Sequence, residues 1–260
     1  MAKRIEDFIV TGNRFINKDI FILELLSNNQ LPELRPGQFV QVRIDGSPET
    51  FLRRPLSIHD ADYSGNRIRL LIQLAGKGTE TLSKLRVGDK LNLIYPLGNS
   101  FSMPSSENEK ILLIGGGCGV APLMFLGKYL KSNGYKFDIL LGFRNRGRII
   151  EYEDYLELGR VSLTTEDGSM GEKGIVTDHS ILRDQKFDRI CCCGPEKMMK
   201  AVAGYAARSG TECEVSLENL MACGFGACLC CVVETVNGNL CTCIDGPVFN
   251  IKNLKWQTSV

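Results

Sequence analysis

Between Ile5 and Tyr95 the apolar positions fall in short runs, alternating or continuous, that turn residues interrupt. Phe21–Leu25, Phe39–Ile44, Ile68–Leu74 and Lys90–Tyr95 each have the length and apolar content of a strand, and Pro36-Gly37, Asp45-Gly46 and Gly88-Asp89 punctuate them. Many short strands with such turns predict an antiparallel barrel or sandwich. One short helix is expected within it over Thr79–Leu85, with Thr79 as its cap.

After Pro96-Leu-Gly-Asn-Ser-Phe and the polar Pro104-Ser-Ser-Glu-Asn-Glu, which read as a linker, the period changes. Strands are expected at Lys110–Ile114, Phe137–Leu141, Val161–Leu163, Asp188–Cys193 and Glu212–Ser216. Helices are expected at Leu123–Lys131, Glu151–Leu158, near Ile175–Leu182 and at Pro195–Ala207, with Pro122 suiting a first helical turn. Alternating strands and helices predict a parallel sheet that binds ligands outside the carboxyl ends of its strands. Gly115–Val120, Thr165–Gly168 and Cys193–Pro195 fall at those ends. A nicotinamide dinucleotide needs such a placement, with its phosphates meeting a glycine loop at a helix start. The loop departs from G-x-G-x-x-G, because Val120 stands where the third glycine would be. A tight turn packing helix on strand is its plainer reading.

The last stretch carries a different signal. Six of the eleven cysteines lie in the twenty-one residues from Cys223 to Cys243. Cys223, Cys228, Cys231 and Cys243 taken as one set give C-x4-C-x2-C and a distant fourth cysteine, the spacing of plant-type [2Fe–2S] sites. Gly224, Gly226 and Ala227 would let backbone N–H groups approach cluster sulfur without side-chain clash. Zinc also takes four cysteines, but structural zinc favours two C-x2-4-C pairs over a loop of three. Spacing alone leaves the ligand set open: Cys230 adjoins Cys231, and Cys241 would face the same side as Cys243 in a strand.

Composition changes the picture only by exclusion. Hydrophobic residues at 43% and charged residues at 23% fit an ordinary soluble protein, and the 260-residue length allows more than one domain. A net charge of +1 gives no electrostatic case for nucleic acid or an anionic membrane surface. No run approaches the roughly 20 apolar residues that span a bilayer, and Met1-Ala-Lys-Arg-Ile-Glu-Asp does not read as a secretory signal. Eleven cysteines without an export signal point to a reducing cytoplasm, where thiols serve metals or lie buried. Cys118, Cys191 and Cys192 read as packing residues, and His59 and His179 as structural or exposed.

Taken together, Arg54-Pro55-Leu56-Ser57, Gly76-Lys77-Gly78-Thr79, Gly115-Gly-Gly-Cys-Gly-Val-Ala-Pro122 and Cys193-Gly194-Pro195 resemble the signatures of the ferredoxin-NADP reductase superfamily. Within it, Ser216-Leu-Glu-Asn-Leu-Met-Ala-Cys-Gly-Phe-Gly-Ala-Cys and the Asp245-Gly-Pro-Val-Phe tail resemble the electron-transfer subunits of NAD-dependent (type B) dihydroorotate dehydrogenases. The resemblance covers essentially the whole chain. It implies a multidomain β plus α/β protein: an FAD-binding antiparallel β-barrel over 1–101, a Rossmann-like nicotinamide domain over 102–212 and a small [2Fe–2S] domain over 213–260. It selects Cys243 as the fourth ligand, beside Cys223, Cys228 and Cys231, and leaves Cys230 and Cys241 spare.

By the same carry-over Arg54, Pro55, Leu56 and Ser57 would hold the FAD phosphates and flavin edge, Leu71, Ile72 and Gln73 would bind through their main chain, and Gly78 and Thr79 would cradle the pyrophosphate. Gly115, Gly116, Gly117, Gly119, Thr165, Cys193, Gly194 and Pro195 would line the nicotinamide pocket. Arg144, Arg146 and Arg148 stand where NAD sites usually carry an acidic residue, and an arginine there favours a 2′-phosphate; the family relation still implies NAD. It also implies a partner, a catalytic subunit with FMN that oxidises dihydroorotate in cytoplasmic pyrimidine (UMP) synthesis, in a heterotetramer of two subunits of each kind. No side chain is expected to act as general acid or base. The rivals are a reductase subunit of transhydrogenase or sulfide dehydrogenase type and a nucleotide-binding regulatory protein with structural zinc.

Overall fold

The computed structural model describes residues 3–258; Met1 and Ala2, where the reading of the N-terminus begins, and Ser259 and Val260, which close the expected cluster domain, lie outside the described residues. Strands β1 (Arg4–Asn17), β2 (Ile20–Leu26), β3 (Phe39–Val42), β4 (Arg54–Ser57), β5 (Asp60–Asp62), β6 (Arg67–Gln73) and β7 (Lys90–Leu97) form one antiparallel sheet in the order β4-β3-β7-β1-β2-β6-β5. The long first strand is what curls it. Its beginning pairs with β7 and the rest with β2, and register shifts at Val10/Gly12 and Phe15/Asn17 bend it between the two partners. The link from β4 to β5 then draws the sheet edges together, since Ile58 N–H donates to Gln38 and His59 N–H donates to Arg69.

Phe8, Val10, Phe21, Leu23, Val40, Val42, Ile68 and Tyr95 fill the interior of this barrel. Each large apolar side chain so buried contributes about 1.5–3 kcal/mol against the cost of ordering the chain. Helix α1 (Lys77–Leu82) starts two residues before the sequence predicts. Thr79 is therefore not its cap but lies in its first turn, where the hydroxyl accepts from the Ala75 and Gly76 N–H groups and shapes the loop ahead of the helix.

The second sheet comprises β8 (Ile111–Gly116), β9 (Phe137–Phe143), β10 (Arg160–Thr165), β11 (Glu172–Lys173), β12 (Arg189–Cys193) and β13 (Glu212–Ser216), all parallel, with α2 (Ala121–Ser132), α3 (Tyr152–Leu158), α4 (Ile181–Asp184) and α5 (Glu196–Ser209) in the crossovers. The helix expected near Ile175–Leu182 is instead a 3-10 turn at Val176–Asp178 followed by the single turn of α4. His179 parts them, because its Nδ1 accepts from the Ile181 N–H and ends the first turn locally. Past a hairpin of β14 (Val232–Thr235) and β15 (Gly238–Cys241), the chain returns as β16 (Val248–Asn250), which joins the edge of the second sheet antiparallel to β13. The C-terminal stretch thus adds a strand to the second sheet, and β13 itself runs across the 212/213 division.

The two sheets meet over a shared apolar seam in which Ile20, Ile22 and Leu71 of the barrel pack with Val120, Leu123 and Met124. His59 crosses it buried, Nδ1 2.9 Å from the Ala121 carbonyl and Nε2 2.8 Å from Glu151 Oε2. Arg148 pairs with Asp19 across the same seam. Beside the linker, Glu109 binds Arg189 of β12.

Burial acts to raise the Glu109 carboxyl, but Arg189, with the Ser105 N–H and hydroxyl, outweighs it and holds it below its ordinary 4.5. A depressed carboxylate contributes stability that is fully present above that ordinary value and is lost as pH falls through the lower folded one. Glu109→Gln is therefore expected to flatten the acid limb of the pH–stability curve, followed by urea unfolding at several pH values from about 3 to about 7. An acid limb unchanged in slope would remove this pair from the account.

Candidate functional site

From Ala222 to Cys228 the chain is an irregular loop without helix or strand. Gly224 and Gly226 hold it in left-handed conformations at φ 77° and 87°. Neither has room for a side chain: a β-carbon would stand 2.7 Å from Gln41 Cγ at Gly224 and 2.8 Å from Ile244 Cδ1 at Gly226. The loop folds so that the Cys228 thiol lies by that of Cys223, and the thiols of Cys241 and Cys243 both lie by that of Cys231. Cys243 is not in a strand with Cys241, as the same-side argument supposed, but in the turn after β15 that spans Thr242–Asp245. Cys241 nevertheless remains close, its thiol against that of Cys231, whereas Cys230 is exposed.

Backbone donors crowd these sulfurs. Phe225 N–H reaches Cys223 Sγ at 3.5 Å and Cys243 N–H reaches Cys231 Sγ at 3.4 Å. Burial acts to raise the Cys223 thiol, but the N–H groups of Phe225, Cys228 and Ala227 and the Cys228 thiol bring it down to about 6. Burial and then Cys231 push Cys243 up to about 12, so the set as it stands holds unequal thiols that a metal would deprotonate together. A C-x4-C-x2-C loop with a fourth cysteine brought back beside Cys231 suits a pair of irons with two thiolates each. The donor set and the inward N–H groups fit a [2Fe–2S] cluster.

Asn99 fixes this assembly to the rest of the protein. Its side chain donates to the Asp245 and Val248 carbonyls and accepts from the Val248 N–H, and its own N–H donates to Gly246. Gly98, at φ 75°, gives the tail passage, since a β-carbon there would stand 2.5 Å from Pro247 Cδ. Asp245 in turn accepts from the Cys241 N–H at 2.7 Å. Cys231, Cys241 and Cys243 pack against Phe39, Leu97 and Met221, so the sulfurs rest on the outer face of the barrel.

The flavin signature lies nearby. Phe39 stands opposite Ser57 and Gln41 opposite Pro55, which brings Arg54–Ser57 beside the face that carries the cysteines. Arg54 and Gly78 adjoin, a Gly78 β-carbon falling 3.4 Å from Arg54 Nε. Arg53 is spent on the barrel, bonded to the Gln41 and Asn92 carbonyls and the Asn92 side chain. β6 pairs with β5 only as far as Arg69, so the main chain of Leu71, Ile72 and Gln73 borders an edge that no β5 residue covers. Leu56 completes β4 within this row.

On the second sheet the strand order reverses between β8 and β12, a switch point where α/β proteins bind ligands. Gly119 and Gly194 interlock there: a β-carbon on Gly119 would stand 2.4 Å from Gly194 Cα, and one on Gly116 2.4 Å from Met198 Sδ. Gly115 closes on Val120 and Leu123, while Gly117, at φ 53°, has open space in front of it. Pro195 leads into α5. The Thr165 hydroxyl is committed to the Met170 backbone and so shapes its own loop. Burial first, and the Glu218 charge second, push the Cys118 and Cys193 thiols up to about 12. Glu218 thus lies near both thiols, and partial desolvation raises its own carboxyl above the ordinary value. Of the three arginines, Arg148 is taken by Asp19, while Arg144 and Arg146 lie exposed beyond β9.

Residues 8–101 match the oxidoreductase FAD-binding domain, and residues 218–255 match the iron-sulfur cluster binding domain of dihydroorotate dehydrogenase B. The chain is 39% identical over 223 residues to the dihydroorotate dehydrogenase B (NAD(+)) electron transfer subunit of Shouchella clausii, across 84% of this chain and 85% of that one. With the subunit of the same name from Fusobacterium nucleatum it shares 35% over 255 residues, 95% of this chain and 96% of the relative. The chain belongs to the family of dihydroorotate dehydrogenase B electron-transfer subunits.

Among solved structures, that of an NADH-dependent reduced ferredoxin-NADP oxidoreductase superimposes with a TM-score of 0.87 at 32% identity, over 96% of this chain and 90% of the other. The cytochrome b5 reductase domain of Ulva prolifera nitrate reductase, at 18% identity and a TM-score of 0.69 over 80% of this chain and 94% of the other, shares the fold.

Three residues of these sites escape sequence reasoning: Gln41, Asn99 and Glu218. Asn99 reads as linker and Glu218 as part of a motif without a role. Gln41 reads as the polar member of an apolar strand, which predicts exposure where the structure buries it. Asn99→Ala leaves the Asp245 and Val248 carbonyls and the Val248 N–H without their side-chain partner, a loss of about 1–3 kcal/mol for each group that stays buried. The variant is expected to unfold at lower urea and to lose iron on gel filtration; wild-type iron retention would contradict the role given to this residue.

Proposed function

We propose that this chain is the electron-transfer subunit of an NAD-dependent dihydroorotate dehydrogenase, carrying electrons from a catalytic partner through a [2Fe–2S] cluster and FAD to NAD. The observation that carries the reading is the Cys223–Cys231 loop with N–H groups donating to its sulfurs, and Cys243 brought back beside Cys231 against Phe39 and Leu97 of the flavin-type barrel. When bound, FAD exchanges two electrons with nicotinamide and single electrons with a cluster, which lets it stand between them.

The chain's own residues bind, orient and exclude. Cys223 and Cys228 would hold one iron, Cys231 and Cys243 the other, with the loop N–H groups donating to sulfur. Arg54 would meet the FAD phosphates beside Gly78 and Thr79, Pro55 to Ser57 would border the flavin, and Leu71 to Gln73 would offer main-chain hydrogen bonds. Gly115, Gly116, Gly117, Gly119, Gly194 and Pro195 would form the nicotinamide crevice, with Thr165 shaping its rim. Cys193, its thiol held neutral and donating to the Ser216 carbonyl, would serve as a wall rather than a nucleophile. Hydride exchange between nicotinamide and flavin asks no general acid or base of the protein, and the proposal names none.

The partner would be an FMN-containing catalytic subunit, two of each in a heterotetramer in the cytoplasm. Leu220, Phe225, Leu229 and Ile244 leave apolar surface exposed around the cysteines, a patch suited to docking such a subunit. Among the described residues no helix is long and apolar enough to cross a membrane. A second reading, a reductase subunit of a transhydrogenase, draws on the 0.87 TM-score with the NADH-dependent reduced ferredoxin-NADP oxidoreductase. Copurification with an FMN subunit and dihydroorotate-dependent NAD reduction by the complex support the first reading; a complex that turns over ferredoxin and NADP instead supports the second.

Cys223→Ser, Cys228→Ser, Cys231→Ser and Cys243→Ser are each expected to lower iron and acid-labile sulfide from about two of each per chain, with flavin retained. Cys230→Ser and Cys241→Ser are expected to keep both at wild-type content. Loss of the cluster in Cys241→Ser and its survival in Cys243→Ser would reverse the assignment of the fourth ligand.

A further inference from the structure

Gln41 occupies the ground between the two regions. It lies in β3, opposite Pro55 of β4 on one side and Ile94 of β7 on the other. Val40 and Val42 point into the barrel, while Phe39, two residues before Gln41 and so on the same face, packs against Cys231, Cys241 and Cys243. Gln41 is completely buried, yet neither its amide nitrogen nor its amide oxygen has a hydrogen-bond partner. Among the described residues no other side chain leaves two polar atoms buried and unpaired. Such a group is costly without a partner, and a leucine of similar size would not carry that cost.

The amide is aimed at the cluster loop. A β-carbon on Gly224 would stand 2.7 Å from Gln41 Cγ and 2.9 Å from Nε2, so the glycine that follows Cys223 is also the opening through which Nε2 faces the loop. The strand beneath is held, since Arg53 donates to the Gln41 carbonyl at 3.2 Å.

We propose that the Gln41 side-chain N–H donates a hydrogen bond to sulfur on the Cys223–Cys228 side of the cluster and so raises the potential at which the cluster takes up its electron. The inference rests on the [2Fe–2S] reading of Cys223, Cys228, Cys231 and Cys243. An added electron enriches the sulfurs in negative charge, so a donor at sulfur favours the reduced form, and such hydrogen bonds are among the levers that set cluster potentials. Gln41 is thus a positioning residue that acts through sulfur.

The test is a potentiometric titration of the whole FAD- and iron-loaded chain, wild type against Gln41→Leu, with the cluster read by EPR and the flavin by absorbance. The variant is expected to keep wild-type iron and flavin, to make cluster reduction about tenfold less favourable, equivalent to about 59 mV for one electron, and to leave the flavin potential where it was. An unmoved cluster potential, or a shift in the flavin alone, overturns the proposal. Should the leucine variant lose its cluster, wild-type protein labelled with 15N in its glutamine amides decides. A 15N coupling to the reduced cluster in pulsed EPR, surviving in a Gln38→Leu background, supports Gln41, and its absence overturns it. A chain purified without iron would sink the functional reading and this inference together; a normal cluster with an unmoved potential would sink this inference only.

Discussion

The rest of the architecture depends on the clasp between Asn99 and the segment Asp245–Val248. Asn99 lies just past β7, where the chain leaves the barrel for the second sheet. It holds the tail within a few residues of Cys243 on one side and of β16 on the other. One side chain therefore ties together the barrel, the cysteine turn and the edge strand of the second sheet. Hydrogen bonds of this kind contribute only about 0.5–1.5 kcal/mol each in net terms. Their importance here is geometric, because they set where the sulfurs stand relative to the face of β3 and β4.

The seam between the sheets works in the same direction. His59 directly follows the segment that leaves the flavin signature, and it is buried against Ala121, the first residue of the helix behind the glycine loop. Glu151, held at φ 47° ahead of α3, meets the other ring nitrogen. Removing either member would leave a buried polar group or charge unpaired, which is the costly outcome for such pairs. The segment after β4 and the helix behind the glycine loop are thus locked by short polar contacts across an apolar seam. Electron transfer needs such fixed spacing more than it needs acid–base chemistry, and the neutral thiols of Cys118 and Cys193 agree with that division.

Much of this was legible in the residues. Apolar runs broken by Pro-Gly and Gly-Asp marked β2, β3, β6 and β7, and the change to strand–helix alternation marked the second sheet. The cysteine spacing marked the loop. The long first strand was not legible, because Arg4–Asn17 bends around two partners and its polar positions follow the bulges rather than a simple alternation. The tail strand β16 escaped for a related reason: three residues pair with β13 only because the Asn99 clasp delivers them there. Gln41 shows the limit most plainly. A polar residue in an apolar strand predicts a solvent-facing side, and the cysteine segment packed over that face, with Gly224 against Gln41, turns it into an interior.

The account stands or falls on electrons passing within this one chain, from nicotinamide by way of flavin to the four sulfurs. Anaerobic titration of the isolated, iron-loaded chain with NADH, followed by absorbance and EPR together, measures it directly. The account predicts that the signal of a reduced [2Fe–2S] cluster grows as the flavin bleaches, with no partner subunit present. Flavin that bleaches while the cluster stays oxidised, at a potential NADH can reach, would contradict it.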